Sequence, residues 1–187
     1  LVYNFTVTVT DSFVNQSLLT DTIDITLTIN DLNDNAPVFT SDASFTLDEG
    51  VTDVTTVTTT DADANATVTY SLSGADAQSL AIDNSGALTF VTAPDFESGK
   101  TSYEVTVTAN DGLNTTDQTI TVTIEDVNDN APVFTSDSTF TIDENTTAVT
   151  TLLTTDADTN PTVTYSITGG ADASSFAVDQ ASGALTL

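Results

Sequence analysis

Apolar and polar residues alternate along most of this 187-residue chain. Residues 68–73 (VTYSLS), 103–109 (YEVTVTA) and 119–125 (TITVTIE) place aliphatic or aromatic side chains on one face and mainly Thr or Ser on the other. A period of two residues is typical of half-buried antiparallel β-strands. The strand-like runs are separated by Asp, Asn, Gly and Pro, which predicts an all-β sandwich or barrel without helices.

The alternating pattern is itself repeated. Four stretches recur in matching order, and the pairs are 36–50 with 131–145, 59–74 with 154–169, 80–90 with 176–187 (with one extra residue), and 103–112 with 3–12. We therefore predict that residues 36–130 form one complete repeat of about seven strands with its linker. Residues 1–35 would be the last strands of a first repeat plus a linker, and 131–187 the first strands of a third.

The two partial repeats have two interpretations, and the sequence leaves both open. In the first, the chain is a segment of a longer tandem array, and its neighbours supply the remaining strands. In the second, the strands of 1–35 in one copy complete the repeat begun by 131–187 in another, so that copies polymerise head to tail.

Charge is strongly one-sided, with 28 acidic residues against a single basic residue, Lys100, and a net charge of −27. Nucleic acid is excluded as a partner because phosphate binding needs Lys and Arg, and an anionic membrane surface is disfavoured for the same reason. No apolar run reaches the ~20 residues that span a bilayer, so we expect no membrane insertion by this segment. Such a charge strains a compact fold by self-repulsion, unless the acids are spread over solvated surface or gathered around bound cations.

The acids are gathered in four kinds of cluster at fixed places in the repeat. These are Asp48-Glu49 and Asp143-Glu144, Asp61/Asp63 and Asp156/Asp158, Asp95/Glu97, and the linkers DLNDN (31–35) and DVNDN (126–130). Each cluster alone is typical of a solvated turn. Their joint recurrence indicates a site for a hard cation such as Ca²⁺, which takes 6–8 oxygen ligands from carboxylates, amides and carbonyls.

The ordered set of motifs, from Asp-x-Asn-Asp-Asn-Ala-Pro-x-Phe to the Asp-Gly at 111–112, resembles the cadherin repeat. The high Thr content is most similar to that of bacterial cadherin-like domains. The resemblance implies tandem seven-strand Greek-key β-sandwiches, of the cadherin or Ig-like kind, in a linear array. It also implies up to three Ca²⁺ ions at each junction between repeats. Phe96 replaces the Arg between the two carboxylates of the family's Asp-Arg-Glu motif.

The resemblance also implies the calcium ligands. At the second junction they are Glu49, Asp95, Glu97, Asp126, Val127, Asn128, Asp129, Asn130, Asp156, Asp158 and Asn160, with Val127, Asn130 and Asn160 acting through backbone carbonyls. At the first junction they are Asp31, Asn33, Asp34, Asn35, Asp61, Asp63, Asn65 and Asp111. Asp11 would serve an earlier junction and Glu144 a later one.

The expected function is mechanical: an extracellular or cell-surface rod, stalk or filament, rigidified by Ca²⁺, in cell adhesion or biofilm cohesion. The alternative is an adhesive module with its own glycan or protein ligand, at the cell surface or in the matrix. Enzymatic activity is not expected, because the chain has no His or Cys and its acids fall in metal-type clusters. Attached glycans are a further possibility, and the sequons lie at Asn4, Asn15, Asn65, Asn114 and Asn145.

Overall fold

The computed structural model describes residues 1–11, 17, 19–64 and 66–187, and within them the chain is almost entirely β-structure. Two short 3₁₀ turns, Phe96–Ser98 and Ala173–Ser175, interrupt the strands. The alternation seen in the sequence therefore folds as predicted, into sheets whose residues point alternately to either side.

The first two strands form a hairpin in which β1 (Val2–Asp11) runs antiparallel to β2 (Leu19–Thr28). No other described strand joins this two-stranded sheet. Its apolar side chains line one face, and Tyr3 and Phe5 on that face remain about half exposed, at 48% and 49%.

The next strands build a two-layered sandwich. They are β3 (Val38–Phe39), β4 (Ser44–Asp48), β5 (Asp53–Thr56), β6 (Thr59–Thr60), β7 (Thr69–Ser73), β8 (Leu80–Ile82), β9 (Ala87–Phe90), β10 (Ser102–Asn110) and β11 (Thr115–Glu125). One layer has the order β4-β11-β10-β7 and the other β5-β9-β8, while β3 and β6 form a short ladder. Strands β4 and β11 are parallel, and the remaining pairs are antiparallel.

The core of this sandwich comes from the inward positions of the alternating strands. The side chains of Val105, Val107, Ile120 and Leu88 are at most 1% exposed. Removing each such side chain from water stabilises the fold by about 1.5–3 kcal/mol, and this burial holds the two layers together. The predicted β-sandwich is therefore confirmed.

The last strands repeat the beginning of that sandwich. They are β12 (Val133–Phe134), β13 (Ala148–Thr151), β14 (Thr154–Thr155), β15 (Ala177–Val178) and β16 (Ala184–Thr186). Strands β12 and β14 pair as β3 and β6 do, and β13-β16-β15 matches β5-β9-β8. Residues 139–143 and 164–168 match β4 and β7 in sequence but form no strands. In the sandwich, β4 and β7 are hydrogen-bonded to β11 and β10.

A glycine closes the turn between β8 and β9. Gly86 has a φ of +86°, and a Cβ at this position would lie 2.2 Å from the carbonyl oxygen of Val57. Gly183 occupies the same place before β16, where a Cβ would lie 2.7 Å from the carbonyl oxygen of Leu152. The backbone approaches so closely at both turns that only Gly fits.

Candidate metal centres

Glu49 joins the sandwich to the linker that follows it. It comes directly after β4, and its side chain is buried. Its Oε2 accepts a hydrogen bond from the backbone N–H of Phe96 at 2.7 Å, and its Oε1 accepts one from the backbone N–H of Val127 at 2.9 Å. The carboxylate is therefore fixed between the 3₁₀ turn and the linker.

Glu49 is one of five carboxylates that come together at the second junction in two overlapping groups. One oxygen from each of Glu49, Glu97 and Asp126 lies within 4.8 Å of the other two. Glu97, Asp129 and Asp158 form a second group with the same spacing. The two groups share Glu97, so they form one continuous cluster.

This clustering is electrostatically unfavourable without a cation. Glu97 Oε1 and Asp126 Oδ1 are buried and accept no hydrogen bond from the described residues. Loss of hydration raises the pKa of Glu97 to about 7, and the nearby Asp126 and Glu49 carboxyls raise it as well. The pKa of Asp129 is raised by the same loss of hydration and by the charges of Glu49 and Asp158, among others.

Residues 156–160 are hydrogen-bonded to the linker at 126–130 through two of these acids, Asp158 and Asp126. Asp158 is 4% exposed and accepts hydrogen bonds from the Asn130 backbone N–H (3.1 Å) and side-chain Nδ2 (2.9 Å). Asp156 Oδ1 accepts one from the Asp158 N–H at 3.1 Å. The Thr159 N–H donates to Asp126 Oδ2 at 2.7 Å, so the contacts cross the junction in both directions.

The first junction has the same local arrangement. Asn35 donates to Asp63 from its backbone N–H (2.7 Å) and its Nδ2 (2.6 Å), and Asp61 Oδ1 accepts from the Asp63 N–H (2.9 Å). Asn33 Nδ2 donates to the carbonyl oxygen of Asp111 at 3.2 Å. Asn33 Oδ1 and Asp61 Oδ2 are buried without a hydrogen-bond partner among the described residues.

Two other predicted ligands of the first junction, Asp31 and Asp34, accept hydrogen bonds close to this arrangement. Asp31 Oδ2 accepts a hydrogen bond from the Ala64 N–H, as Asp126 does from Thr159 at the second junction. Asp34 Oδ1 accepts one from Asn35 Nδ2 at 3.0 Å. Asn65 lies outside the described residues.

Some predicted ligands have weaker structural support. Asp95 is exposed but lines the same depression as Glu49 and Glu97, while Asn128 is exposed. Asn160, which precedes a proline, is exposed and has a left-handed φ of +57°. Two further residues, Asp11 and Glu144, belong to neither carboxylate group.

Asn114 is a junction residue that our sequence analysis considered only as a sequon. Its Nδ2 donates to the carbonyl oxygen of Asn35 at 2.9 Å, linking the β10–β11 turn to the linker. Asp111 Oδ1 accepts from the N–H groups of Leu113 (2.8 Å) and Asn114 (2.7 Å), and these bonds help to lower the pKa of Asp111. Nothing in the sequence distinguishes such an amide from an ordinary turn residue.

The single basic side chain lies elsewhere. Lys100 forms an ion pair with Asp76, and this hydrogen bond lowers the pKa of the Asp76 carboxyl. Lys100 also lies over the ring of Tyr103, at 4.8 Å from its centroid. The only basic side chain of the chain therefore does not neutralise the junction acids.

Comparisons with known proteins agree with this architecture. Residues 43–125 match the family description of the cadherin domain. Mouse protocadherin Fat 4 is 37% identical over 123 residues, which is 62% of this chain and 2% of the relative. Human protocadherin-23 is 31% identical over 178 residues, or 89% of this chain and 5% of the relative. The chain thus spans a small part of these relatives.

A solved structure covers nearly the whole chain. The EC22-24 crystal structure of mouse cadherin-23 matches with a TM-score of 0.66 and 30% identity, over 98% of this chain and 62% of that one. Among the described residues, no helix has the length and hydrophobicity to cross a membrane. The predicted resemblance to the cadherin repeat is confirmed, and the chain contains a cadherin domain at residues 43–125.

Proposed function

We propose that the acidic clusters bind Ca²⁺ and that the bound ions fix the angle between successive repeats. The segment then serves as a rigid extracellular rod, stalk or filament in cell-surface adhesion or biofilm cohesion. The observation that carries this proposal is the pair of carboxylate groups sharing Glu97, because they draw acids from the sandwich, the linker and the following repeat to one place.

The chemistry of the clusters fits a hard cation. Ca²⁺ prefers carboxylate and amide oxygens, and four such oxygens, on Asn33, Asp61, Glu97 and Asp126, are buried with no hydrogen-bond donor among the described residues. A buried polar atom without a partner costs about 1–3 kcal/mol. A bound ion would supply the missing interaction at both junctions.

The proposed ligands join three parts of the chain at the second junction. Glu49, Asp95 and Glu97 come from the repeat at 36–130, and Asp156, Asp158 and Asn160 from the one at 131–187; Asp126, Val127, Asn128, Asp129 and Asn130 are the linker ligands. Up to three ions would occupy this junction. Bound Ca²⁺ neutralises the carboxylates; without it, charges ~4 Å apart repel by about 1 kcal/mol even in water.

Calcium removal tests the proposal directly. Small-angle scattering of the 187-residue chain in saturating Ca²⁺ should give a longer maximum dimension than in excess chelator. Glu97→Gln should weaken this response, whereas Glu104→Gln makes the same charge change at an exposed position on β10, away from the junction, and should leave it intact. An unchanged maximum dimension on adding chelator would refute the stiffening role.

An adhesive module with its own ligand is the second candidate. Its support is the similarity to proteins named protocadherins. Binding of the chain to cells or to immobilised glycans, measured with and without chelator, separates a ligand-binding module from a passive rod.

A further inference from the structure

A cleft of about 370 Å³ lies between the end of β9, the start of β10 and the loop that precedes β8. All of its lining residues fall between positions 78 and 103, within the sandwich β3–β11. Clefts that hold small ligands usually measure about 300–1,000 Å³. This cleft is therefore large enough for a small ligand, and one sandwich forms it without help from the segments on either side.

Tyr103 lines this cleft and has a hydroxyl group that pairs with no described residue. The hydroxyls of Tyr70 and Tyr165 form hydrogen bonds with Thr59 (2.9 Å) and Thr154 (3.1 Å). The hydroxyl of Tyr103 forms none among the described residues, although the residue is only 8% exposed, and it is not one of the polar atoms sealed from solvent. The hydroxyl of a buried tyrosine usually has a partner. This group is therefore available to a ligand in the cleft.

The ring of Tyr103 is held in place by two neighbours. The ring of Phe90 packs against it at a centroid distance of 4.9 Å and an interplanar angle of 72°. Lys100 Nζ lies 4.8 Å from the Tyr103 centroid, and its ion pair with Asp76 fixes the position of the ammonium group. Little further ordering of the tyrosine is needed on binding, which lowers the entropic cost of a contact with its hydroxyl.

The rest of the lining combines apolar surface with groups that donate and accept hydrogen bonds. Val91, which is 65% exposed, and Pro94 contribute apolar surface beside the tyrosine. The polar groups are the hydroxyls of Ser79, Thr92 and Ser98 and the amide of Gln78. A purely apolar ligand would leave the tyrosine hydroxyl unpaired. A sugar ring matches the lining better, because its C–H groups suit the apolar surface and its hydroxyls both donate and accept.

Charge narrows the choice of ligand further. The net charge of −27 opposes the approach of an anion. Asp95 is the one charged residue of the lining, and it also lines the depression that contains Glu49 and Glu97. As a proposed calcium ligand, Asp95 would be neutralised by the ion and would not attract a cation into the cleft. A neutral ligand is therefore favoured over a charged one.

We propose that the cleft binds a neutral sugar residue, with a sugar hydroxyl hydrogen-bonded to the hydroxyl of Tyr103. The proposal rests on the second candidate function, the adhesive module, and gives that module a site and a class of ligand. It does not require the chain to act as a rigid rod.

Nuclear magnetic resonance titration of the ¹⁵N-labelled chain tests the site. At least one of the methyl glycosides of glucose, galactose and mannose should shift the amide resonances of residues 78–79 and 90–103. Methyl glucuronide, an anion, and arginine amide, a cation, should shift them less at the same concentration. No shift with any neutral glycoside, or larger shifts with either charged probe, would overturn the proposal.

Matched substitutions test the contact with Tyr103. Tyr103→Phe removes only the hydroxyl and should weaken binding about 2–10-fold, as expected for the loss of one neutral hydrogen bond. Tyr70→Phe removes a hydroxyl that is bonded to Thr59 outside the cleft and should leave the affinity unchanged. Val91→Trp should block the cleft, whereas Val38→Trp, at a site outside it with a similar exposure of 61%, should not. Equal affinity of the Tyr103→Phe and unsubstituted chains, or undiminished binding by Val91→Trp, would refute the assignment.

Adhesion assays separate this proposal from the function on which it rests. Binding to immobilised dextran and to an immobilised high-mannose glycoprotein distinguishes a matrix polysaccharide from a protein-linked glycan as the source of the sugar. If the chain adheres to cells or to either surface and Val91→Trp adheres equally well, the cleft proposal fails and the adhesive module stands. If soluble glycosides occupy the cleft but the chain adheres to none of these surfaces, the adhesive module fails and the sugar site stands.

Discussion

Calcium binding at the second junction should weaken as the pH falls from 8 to 6. In the metal-free chain, Glu97 has a pKa of about 7 rather than 4.5, because its carboxyl has lost hydration and lies among other carboxylates. A ligand must be deprotonated to bind the ion, so calcium and a proton compete for this group.

The size of the effect follows from that pKa. A group with a pKa of about 7 is roughly one-tenth protonated at pH 8 and nine-tenths protonated at pH 6. The apparent Kd for Ca²⁺ should therefore rise about tenfold across this range from Glu97 alone. The raised pKa of Asp129 acts in the same direction.

Isothermal titration calorimetry at pH 6, 7 and 8 measures this dependence. Glu97→Gln should bind more weakly at pH 8 and lose most of the pH slope, while Glu104→Gln should keep both the affinity and the slope. Equal slopes for the Glu97→Gln and unsubstituted chains would show that Glu97 is not the competing group.

The metal-free chain should respond to pH with the opposite sign. A carboxyl whose pKa is raised by folding contributes stability that is present below its unfolded pKa, near 4.5, and is lost as the pH rises through about 7. In chelator, the unfolding temperature should therefore fall between pH 5 and 7. In saturating Ca²⁺ this loss should disappear, and thermal unfolding followed by circular dichroism compares the two conditions.

Three substitutions, two of them with a matched control substitution, test the packing and the junction through the free energy of unfolding measured by chemical denaturation. Gly86→Ala should lower the free energy of unfolding by ~3 kcal/mol, because the new Cβ meets a backbone carbonyl. Gly99→Ala, at a similar φ but with open space around the new Cβ, should lower it by only ~1 kcal/mol. Equal losses would contradict the close approach at Gly86. Val107→Ala, at a fully buried site, should cost about 2 kcal/mol, and Val7→Ala, 44% exposed, clearly less. Asn114→Ala should lower the free energy of unfolding by about 1 kcal/mol, because it removes the side-chain hydrogen bond to the linker. No loss of stability would show that this hydrogen bond is dispensable.

The regular part of the fold could be predicted from the sequence because its signal is local. In β10, the inward residues Val105 and Val107 alternate with outward Thr, and the structure buries them as the pattern requires. Residues 139–143 have the same alternation but form no strand. A strand needs a hydrogen-bonding neighbour, and the pattern of one segment does not state whether its neighbour is present.

The acidic motifs were predictable as groups, but their connections were not. Glu49 and Asp126 lie in acidic clusters that recur along the chain, and the resemblance to the cadherin repeat implied that both are ligands. That Glu49 bridges the 3₁₀ turn and the linker, and that Asn114 holds the linker at the first junction, depends on chain segments distant in sequence. No local pattern encodes such long-range hydrogen bonds.

The parallel pairing of β4 with β11 has a mechanical consequence. Strand β11 ends directly before the linker at 126–130, and β4 follows the linker at 31–35 after only the two-residue strand β3. Five residue pairs join β4 to β11, from Ser44 with Thr121 to Asp48 with Glu125. Traction applied through the two linkers pulls parallel neighbours past each other, so their hydrogen bonds are sheared together instead of opening one by one. The sandwich should therefore yield to stretching abruptly and at high force.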